Sequence, residues 1–495
     1  MSLFKFCSRA LGVSNTGPTS RALVVIGLAF AMVATGCSTP VLKHSVEVPA
    51  KYAATILSNE EPEAAWWTSF GDPVLSDLIS RAARENRDVR IAAERVRAAR
   101  AGEAISRSWL LPSLSGVGGG VDQKSHSSGA AGQALPDTKA SGAGINVSWE
   151  IDIAGRLRAG ASAAAAEALA TEYGARSVLL LVLTDVASNY FTLRGALRQL
   201  ETVRAISTAQ DETLRLVTAR ERVGLASPFD VERAQTDASR TRAAIPPLET
   251  LVAVSRHRIA VLIGDQAFNA AIIKPWSGEI GVPPTHAGQP AALLTRRPDL
   301  LAAAAQLDAA NARRREAAAE WFPRLFLSGL FGQGNVNMNG IGLGTARFSN
   351  AAGLLAMPLF NAGRTQAIND IAKAGQSEAV LRYEDAIVRA LEDVENALAT
   401  LADERQRAQS LHNASASAHA ALGHAQSLYQ RGQIDLLPLL DAQRARLAAQ
   451  LSANETDTEL LLDSVRLYKA LGGGWQIFNP TTQPAAASTQ GSPQS

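Results

Sequence analysis

Trp149-Glu150-Ile151-Asp152-Ile153-Ala154-Gly155-Arg156 and Met357-Pro358-Leu359-Phe360-Asn361-Ala362-Gly363-Arg364 decide how this chain is read. Each closes on Gly-Arg, the second 208 residues after the first. The same offset carries Asp185-Val186 onto Asp393-Val394, Gly224 onto Gly432, Ala234-Gln235 onto Ala442-Gln443, and Arg258 with Gly264 onto Arg466 with Gly472. Upstream, Asp88 matches Asp299 and Pro112 matches Pro323 at an offset of 211. One length change between Pro112 and Gly155 reconciles the halves, and such changes belong in surface loops. The pattern predicts two tandem copies of one supersecondary unit about a pseudo-twofold relation.

Past each Gly-Arg, proline disappears: none lies between Pro136 and Pro228, or between Pro358 and Pro438. Leu157 to Arg222 therefore reads as one helix of roughly 100 Å. Leu169, Tyr173, Leu180, Leu183, Ala187 and Tyr190 fall on a 4-and-3 spacing, interrupted by Arg176, which predicts supercoiled packing against neighbours. In Arg222-Val223-Gly224-Leu225-Ala226-Ser227-Pro228, Gly224 suits a position just past a helix end, and Ser227-Pro228 an N-cap followed by N1. The second copy reads Tyr429-Gln430-Arg431-Gly432-Gln433-Ile434-Asp435, with Asp435 as the equivalent cap. Return helices then run to Gly264 and Gly472, and Pro246-Pro247 kinks the first.

On the other side of Gly-Arg the period changes. Leu114–Val121 and Gly144–Ile153 alternate weakly around a polar loop, Asp122–Ser141; Leu325–Val336 and Phe348–Phe360 repeat this around a Gly/Asn loop. A membrane strand needs only about 9–11 residues, which these segments supply; alternation alone also fits a soluble hairpin. Before them, Gly71-Asp72-Pro73 marks a turn into helix-forming sequence from Leu75 to Ile105. Asp265–Gln289, with three prolines, reads as a connector, and Pro480–Ser495 as a disordered tail.

The N-terminus is a targeting segment. Lys5, Arg9 and Arg21 precede a 13-residue apolar run, Ala22–Ala34, too short for a spanning helix of about 20 residues. Ala34-Thr35-Gly36-Cys37 follows and resembles a bacterial lipobox, which would leave Cys37 as an acylated mature N-terminus. Cys7 would go with the leader, so no disulfide framework is expected. Ser38 resembles the pattern that Gram-negative lipoproteins carry to the outer membrane. No later stretch reaches 18 apolar residues, so a mature chain that spans a membrane must do so as a closed β-barrel. Charged residues are 19% of the chain, and the net charge of +2 is spread along it, which gives no basic footprint for nucleic acid. Histidines 44, 126, 257, 286, 412, 419 and 424 form no His-Glu-x-x-His or Cys-His set. His412 and His419 share a helix face and read as solvated. No metal site and no enzyme are expected.

Taken together, the lipobox, Trp66-Trp67-x-x-Phe70-Gly71-Asp72-Pro73, Arg297-Pro298-Asp299-Leu300, the two Gly-Arg segments and the Arg-Val-Gly-Leu-Ala-Ser turn resemble the TolC-like outer-membrane efflux channels. The branch is the lipoprotein one that works with resistance-nodulation-division (RND) pumps. The match runs from Cys37 to about Trp475. The resemblance implies an α+β membrane protein and a homotrimer. Each protomer would donate four strands to a 12-stranded outer-membrane barrel, continuous with a long periplasmic α-helical barrel. Four strands cannot close around a wide pore, and an open edge in lipid leaves backbone groups unpaired. The implied function is the passive exit duct of a tripartite efflux or export system. Its partners would be a periplasmic membrane-fusion adaptor, an inner-membrane RND-type transporter and outer-membrane lipid. No cofactor is implied beyond diacylglycerol and an N-acyl chain on Cys37. The competing reading is a lipid-anchored periplasmic coiled-coil scaffold without a pore. The divisions are leader 1–36, lipidated linker 37–62, repeat one 63–264, connector 265–290, repeat two 291–475 and tail 476–495.

The resemblance also assigns roles. Asp441, two turns past the second tip, matches an inward carboxylate ring at the narrow periplasmic end, where three like charges would attract cations. Asp435 is a cap or a second ring. Tyr429 and Asp230 match places where family members latch inner to outer helix pairs. Some relatives carry Arg where Ile434 stands, so this chain departs from the family's full latch. Arg222, Val223, Gly224, Leu225, Ser227, Arg431 and Gly432 form tips that meet the adaptor hairpin. Gly155, Arg156, Gly363 and Arg364 are strand-to-helix turns.

Overall fold

A computed structural model describes residues 40–43, 45–53, 60–124, 136–276, 281–284 and 286–478. The chain divides into Met1–Leu42 and Lys43–Ser495, and the fold below is that of the second unit. Cys37, with its expected acylation, and the tail from Pro480 lie outside the described residues.

Capping chemistry sets the first helices. Asp72 accepts from the amides of Val74 (2.9 Å) and Leu75 (3.2 Å), and Pro73 occupies the first position of α1 (Pro73–Glu85), where a missing N–H costs nothing. The stretch expected as continuous helix then breaks at Asn86. Its side chain caps α2 (Arg87–Ser108) through the amides of Asp88 and Val89 and donates to Leu262 O at 2.8 Å. A buried amide with two local partners and a distant one outweighs helix continuation.

Four antiparallel strands follow in two hairpins, paired in the order β1-β2-β3-β4: β1 (Ser113–Gln123), β2 (Thr138–Ile151), β3 (Arg324–Met338) and β4 (Ile341–Ala356). Register puts Ile145 opposite Phe331, Trp149 opposite Leu327 and Ile151 opposite Leu325, an apolar set on one face. Ser148 lies between Ser113 and Ser328, and Asn146 beside Ser115, on the other. Glycine makes close packing possible: a Cβ on Gly144 would sit 2.6 Å from Phe331 O. β2 begins before the expected Gly144, shortening the expected loop. The second hairpin closes on Asn339-Gly340, both at positive φ (51° and 82°), the tight Asn-Gly turn that matches strand twist. β4 accordingly spans Ile341–Ala356, and Met357–Phe360, expected as strand, leaves the sheet.

Helix α3 (Arg156–Arg222) and helix α7 (Arg364–Gln430) are each 67 residues long and begin 208 residues apart. α2 and α6 (Pro298–Ala319) are each 22 residues and begin 211 apart. The return path is α4 (Pro228–Ala243) plus α5 (Ile245–Leu262) in the first half, parted at Ala244 just before Pro246-Pro247, and one unbroken α8 (Leu436–Ala470) in the second. α3 packs along α2 and α6, and α7 along α6 and α8. Among the described residues, no helix is long and apolar enough to cross a membrane.

The core sits midway along α3, where the C-terminal ends of α5 and α8 reach it. Trp66, Leu75, Leu78, Leu183, Tyr190, Phe191, Ile259, Val465 and Tyr468 bury together, with Trp66 stacked on Tyr468 at a 5.2 Å centroid distance. Asp72 joins this core to α3: its second carboxylate oxygen accepts from Tyr190 Oη (2.6 Å) and Arg194 Nη1 (2.5 Å). Of the α3 stripe read from spacing, Leu180, Leu183, Ala187 and Tyr190 are buried, whereas Leu169 is 42% exposed. Leu169 stands five helical turns before the buried Ala187 and so on the same side of the helix; the packing at its level, not its spacing, leaves it open. A second cluster gathers Leu300, Tyr383, Ile387, Val394, Leu398 and Leu467, and Tyr52 of the N-terminal segment packs into it.

Candidate gate at the helical tips

Both long helices stop by the same device. At Gly224 (φ 73°), Leu225 N donates to Arg220 O at 2.8 Å; at Gly432 (φ 70°), Gln433 N donates to Leu428 O at 2.9 Å. This is the Schellman arrangement, and the left-handed residue it demands is why glycine stands at both places. Arg222, Val223, Arg431 and these glycines thus bring the chain around at each tip.

The two tips then diverge. Ser227 and Asp230 cap α4 reciprocally: Ser227 Oγ accepts from Asp230 N (3.2 Å), and Asp230 accepts from Ser227 N (3.0 Å) and Oγ (2.8 Å). The Ser227 hydroxyl and then its amide hold the Asp230 carboxyl below the usual range. Asp435 occupies the N-cap position of α8 but makes no capping hydrogen bond, which corrects its expected role. Here apolar burial serves instead, since Leu436, Leu439 and Leu440 pack with Val217, Ala425 and Tyr429. In the first tip Val223, Leu225 and Phe229 stay exposed.

Tyr429 and Asp230, expected to latch together, are not joined by a hydrogen bond among the described residues. Asp230 is committed to Ser227, and Tyr429 lies buried with the Arg220 guanidinium 5.2 Å from its ring centre. The strong polar link at this level involves residues that the sequence reading did not single out. Arg444 reaches Asp237 on α4 by Nε (3.0 Å) and Nη2 (2.9 Å), and reaches Asp441 by Nη1 (3.1 Å). Asp237, whose side chain is only 5% exposed, lifts the Arg444 guanidinium above its ordinary range. The signal was present: Asp237 stands among Ala234, Ala238 and Thr241 on the buried stripe of α4, where an acid demands a partner.

At the other end of α3 and α7, Gly155 (φ 78°) and Gly363 (φ 85°) hold the N-cap positions. Arg156 pairs with Glu150 at 2.8 Å across the first turn, and Asp152 accepts from the amides of Leu157 and Arg158. Asn361 Oδ1 accepts from Thr365 N in the second turn, which Arg364 opens. His412 and His419 are exposed, as expected, and each also has a neighbour: His412 meets the buried Asp457 at 2.8 Å, and His419 meets Arg446. Among the described residues no His, Cys, Asp and Glu group is placed to hold a metal.

Comparison with known proteins resolves what this architecture is. Residues 78–265 and 290–473 match the family described as outer membrane efflux protein. The chain belongs to that family. It is 33% identical over 447 residues to the pyoverdine export outer membrane protein OpmQ of Pseudomonas aeruginosa, covering 89% of this chain and 94% of that one. It is 29% identical over 453 residues to the cation efflux system protein CusC of Escherichia coli, covering 90% and 97%. Its fold superposes on the open state of the Neisseria gonorrhoeae MtrE outer membrane channel with a TM-score of 0.78 at 27% identity, covering 88% and 98%. The protein is an outer-membrane efflux channel with a large periplasmic portion, a transport duct and not an enzyme.

Proposed function

We propose that three protomers close one duct, a 12-stranded barrel above an α-helical barrel, that conducts small molecules delivered by a periplasmic adaptor and an RND-type inner-membrane transporter. Acyl chains on Cys37 would anchor it in the outer membrane. The carrying observation is a flank of α7 that its counterpart in the first half does not leave bare. α2 stands to α3 as α6 stands to α7, and α6 also covers the far flank of α3: Glu316 lies against Gly160, and Arg313 bonds Glu167. Moved by the two offsets, Gly160–Glu316 becomes Ile368 facing Ile105 of the partner subunit, and Glu167–Arg313 becomes Gly375 facing Gly102 of the partner subunit. All four positions are open within one protomer: Ile105 and Ile368 are exposed, and nothing lies within 4 Å of a Cβ at either glycine. The free edges of β1 and β4 close in the same operation, which satisfies backbone groups that lipid cannot. The halves are then tandem repeats, and the trimer has pseudo-sixfold helices.

Opening is an iris-like movement of the tip helices, a packing change between discrete arrangements. Asp441 supplies a ring of three carboxylates at the constriction. The tips around Gly224, Leu225, Ser227 and Gly432 dock the adaptor, with exposed Val223, Leu225 and Phe229 as its apolar footing. Cysteines placed at Ile105 and Ile368 together test the assembly. Oxidation should yield covalent trimers whose gel mobility changes on boiling. Monomers that never cross-link, with mobility indifferent to heat, overturn it in favour of a scaffold.

A further inference from the structure

Between the mid-helix core and the tip cluster, α3 and α8 meet through polar side chains. Asn454 Nδ2 donates to Thr202 Oγ1 at 3.0 Å and Gln443 Nε2 to Thr213 Oγ1 at 3.0 Å. The buried Oε1 atoms of Gln210 and Gln443 have no partner among the described residues. Neutral hydrogen bonds of this kind contribute little net and exchange readily with water. Arg198 Nε adds a charge-assisted bond to Asn454 Oδ1 at 3.1 Å, and a contact nearer the tip pairs two opposite charges. Arg444 makes a two-pronged, charge-assisted bond to buried Asp237 on α4 while its remaining arm holds the exposed Asp441 one turn back on its own helix. A buried carboxylate cannot lose its guanidinium cheaply.

We propose that Arg444 is the specificity-determining residue that ties α8 to α4 and, from the same guanidinium, sets the effective charge of the Asp441 ring. The proposal rests on the pore role of Asp441 given above. With Asp237 holding two of its nitrogens, Arg444 only partly offsets Asp441, and the triad keeps one net negative charge. When α8 moves away from α4, the guanidinium has only Asp441 left, and the ring loses its negative charge. The tie has no counterpart 208 residues away, because Arg444 matches Thr236 and Asp237 matches Ala445. The tie therefore joins the two helical turns of one protomer, and the equivalent pairing by the offset has no charges to make it.

The test uses the full-length trimer in planar bilayers, reading open probability and the reversal potential in a potassium chloride gradient. R444Q and D237N should each raise open probability, on the order of tenfold, because each leaves the tie without one charged partner. Their reversal potentials should move in opposite directions. R444Q exposes the Asp441 carboxylates and becomes more cation-selective, whereas D237N hands Arg444 to Asp441 and becomes less so. The exchanged pair, D237R with R444D, should return open probability towards that of the native trimer, which covers the case where a single variant fails to assemble. Unchanged open probability in R444Q and D237N, or reversal potentials moving the same way, overturns the proposal. A native reversal potential retained by D441N overturns instead the pore assignment on which it rests.

Discussion

The same two helices, α3 and α8, pass through two environments, and the contrast separates what holds this channel together from what lets it move. Where the middle of α3 meets the C-terminal end of α8, they bury Leu183, Phe191, Leu461, Val465 and Tyr468 around Trp66, with aromatic rings in stacked and edge contacts. Towards the tips they meet through Arg198, Thr202 and Asn454, and through Thr213 and Gln443. An apolar, close-packed interface resists displacement in every direction. A polar seam can exchange partners and water at small cost, so a change of tip geometry need not disturb the core. The contrast also exists between the tips themselves, where one is capped by Ser227 and the other is held by buried leucines.

The sharpest way to break the first contrast is Trp66→Ala. Trp66 is fully buried, donates to Gly473 O at 3.2 Å and stacks on Tyr468, so the variant should lose about 3–5 kcal/mol and fail to assemble at growth temperature. Thermal melting of the trimer checks this, and a seam substitution such as Thr213→Ala should by comparison barely register. Next comes Asp72→Ala, which removes the α1 cap and leaves Tyr190 and Arg194 without their acceptor. A loss of about 2–3 kcal/mol is expected by denaturant unfolding, more than a cap alone supplies.

The contrast between tips is tested by a pair. Ser227→Ala should cost about 1 kcal/mol of local stability, read as faster amide exchange in α4. Asp435→Ala should leave exchange in α8 unaltered, since Asp435 makes no capping bond. Equal responses would show that the tips are held alike.

The smallest effect at neutral pH belongs to Tyr52, buried in the second cluster with no hydrogen-bond partner for its hydroxyl among the described residues. Burial, followed by the nearby Glu395 charge, pushes this phenol from 10 up to about 12. A raised folded-state value means that the folded protein keeps the proton longer. The stability linked to it is complete below pH 10 and falls as pH climbs from 10 towards about 12. Tyr52→Phe should match the native protein at pH 7 and lose that alkaline dependence, followed by melting temperature across the window.

Much of this was legible beforehand, and the reasons are local. Gly155 and Gly363, Gly224 and Gly432 stand where the backbone takes positive φ, a demand that one residue type meets best. Ser227-Pro228 and Asp72-Pro73 announce helix starts by their own hydrogen bonds. The Asn339-Gly340 turn is likewise legible, since Asn-Gly suits positive φ at both positions. Where the reading went astray, a distant partner had decided. Asn86 breaks a helix partly because Leu262 O awaits its amide. Asp230 answers to Ser227 and not to Tyr429.

The chain alone therefore determined its elements and its family, because helix ends and turns are written in neighbouring residues. Which side chains meet across helices was settled only in three dimensions. Asp237 and Arg444 lie 207 positions apart, and no local pattern pairs a carboxylate with one guanidinium among many. That choice belongs to packing, which brings one α4 stripe against one turn of α8 and, among the described residues, leaves the acid no other charged partner.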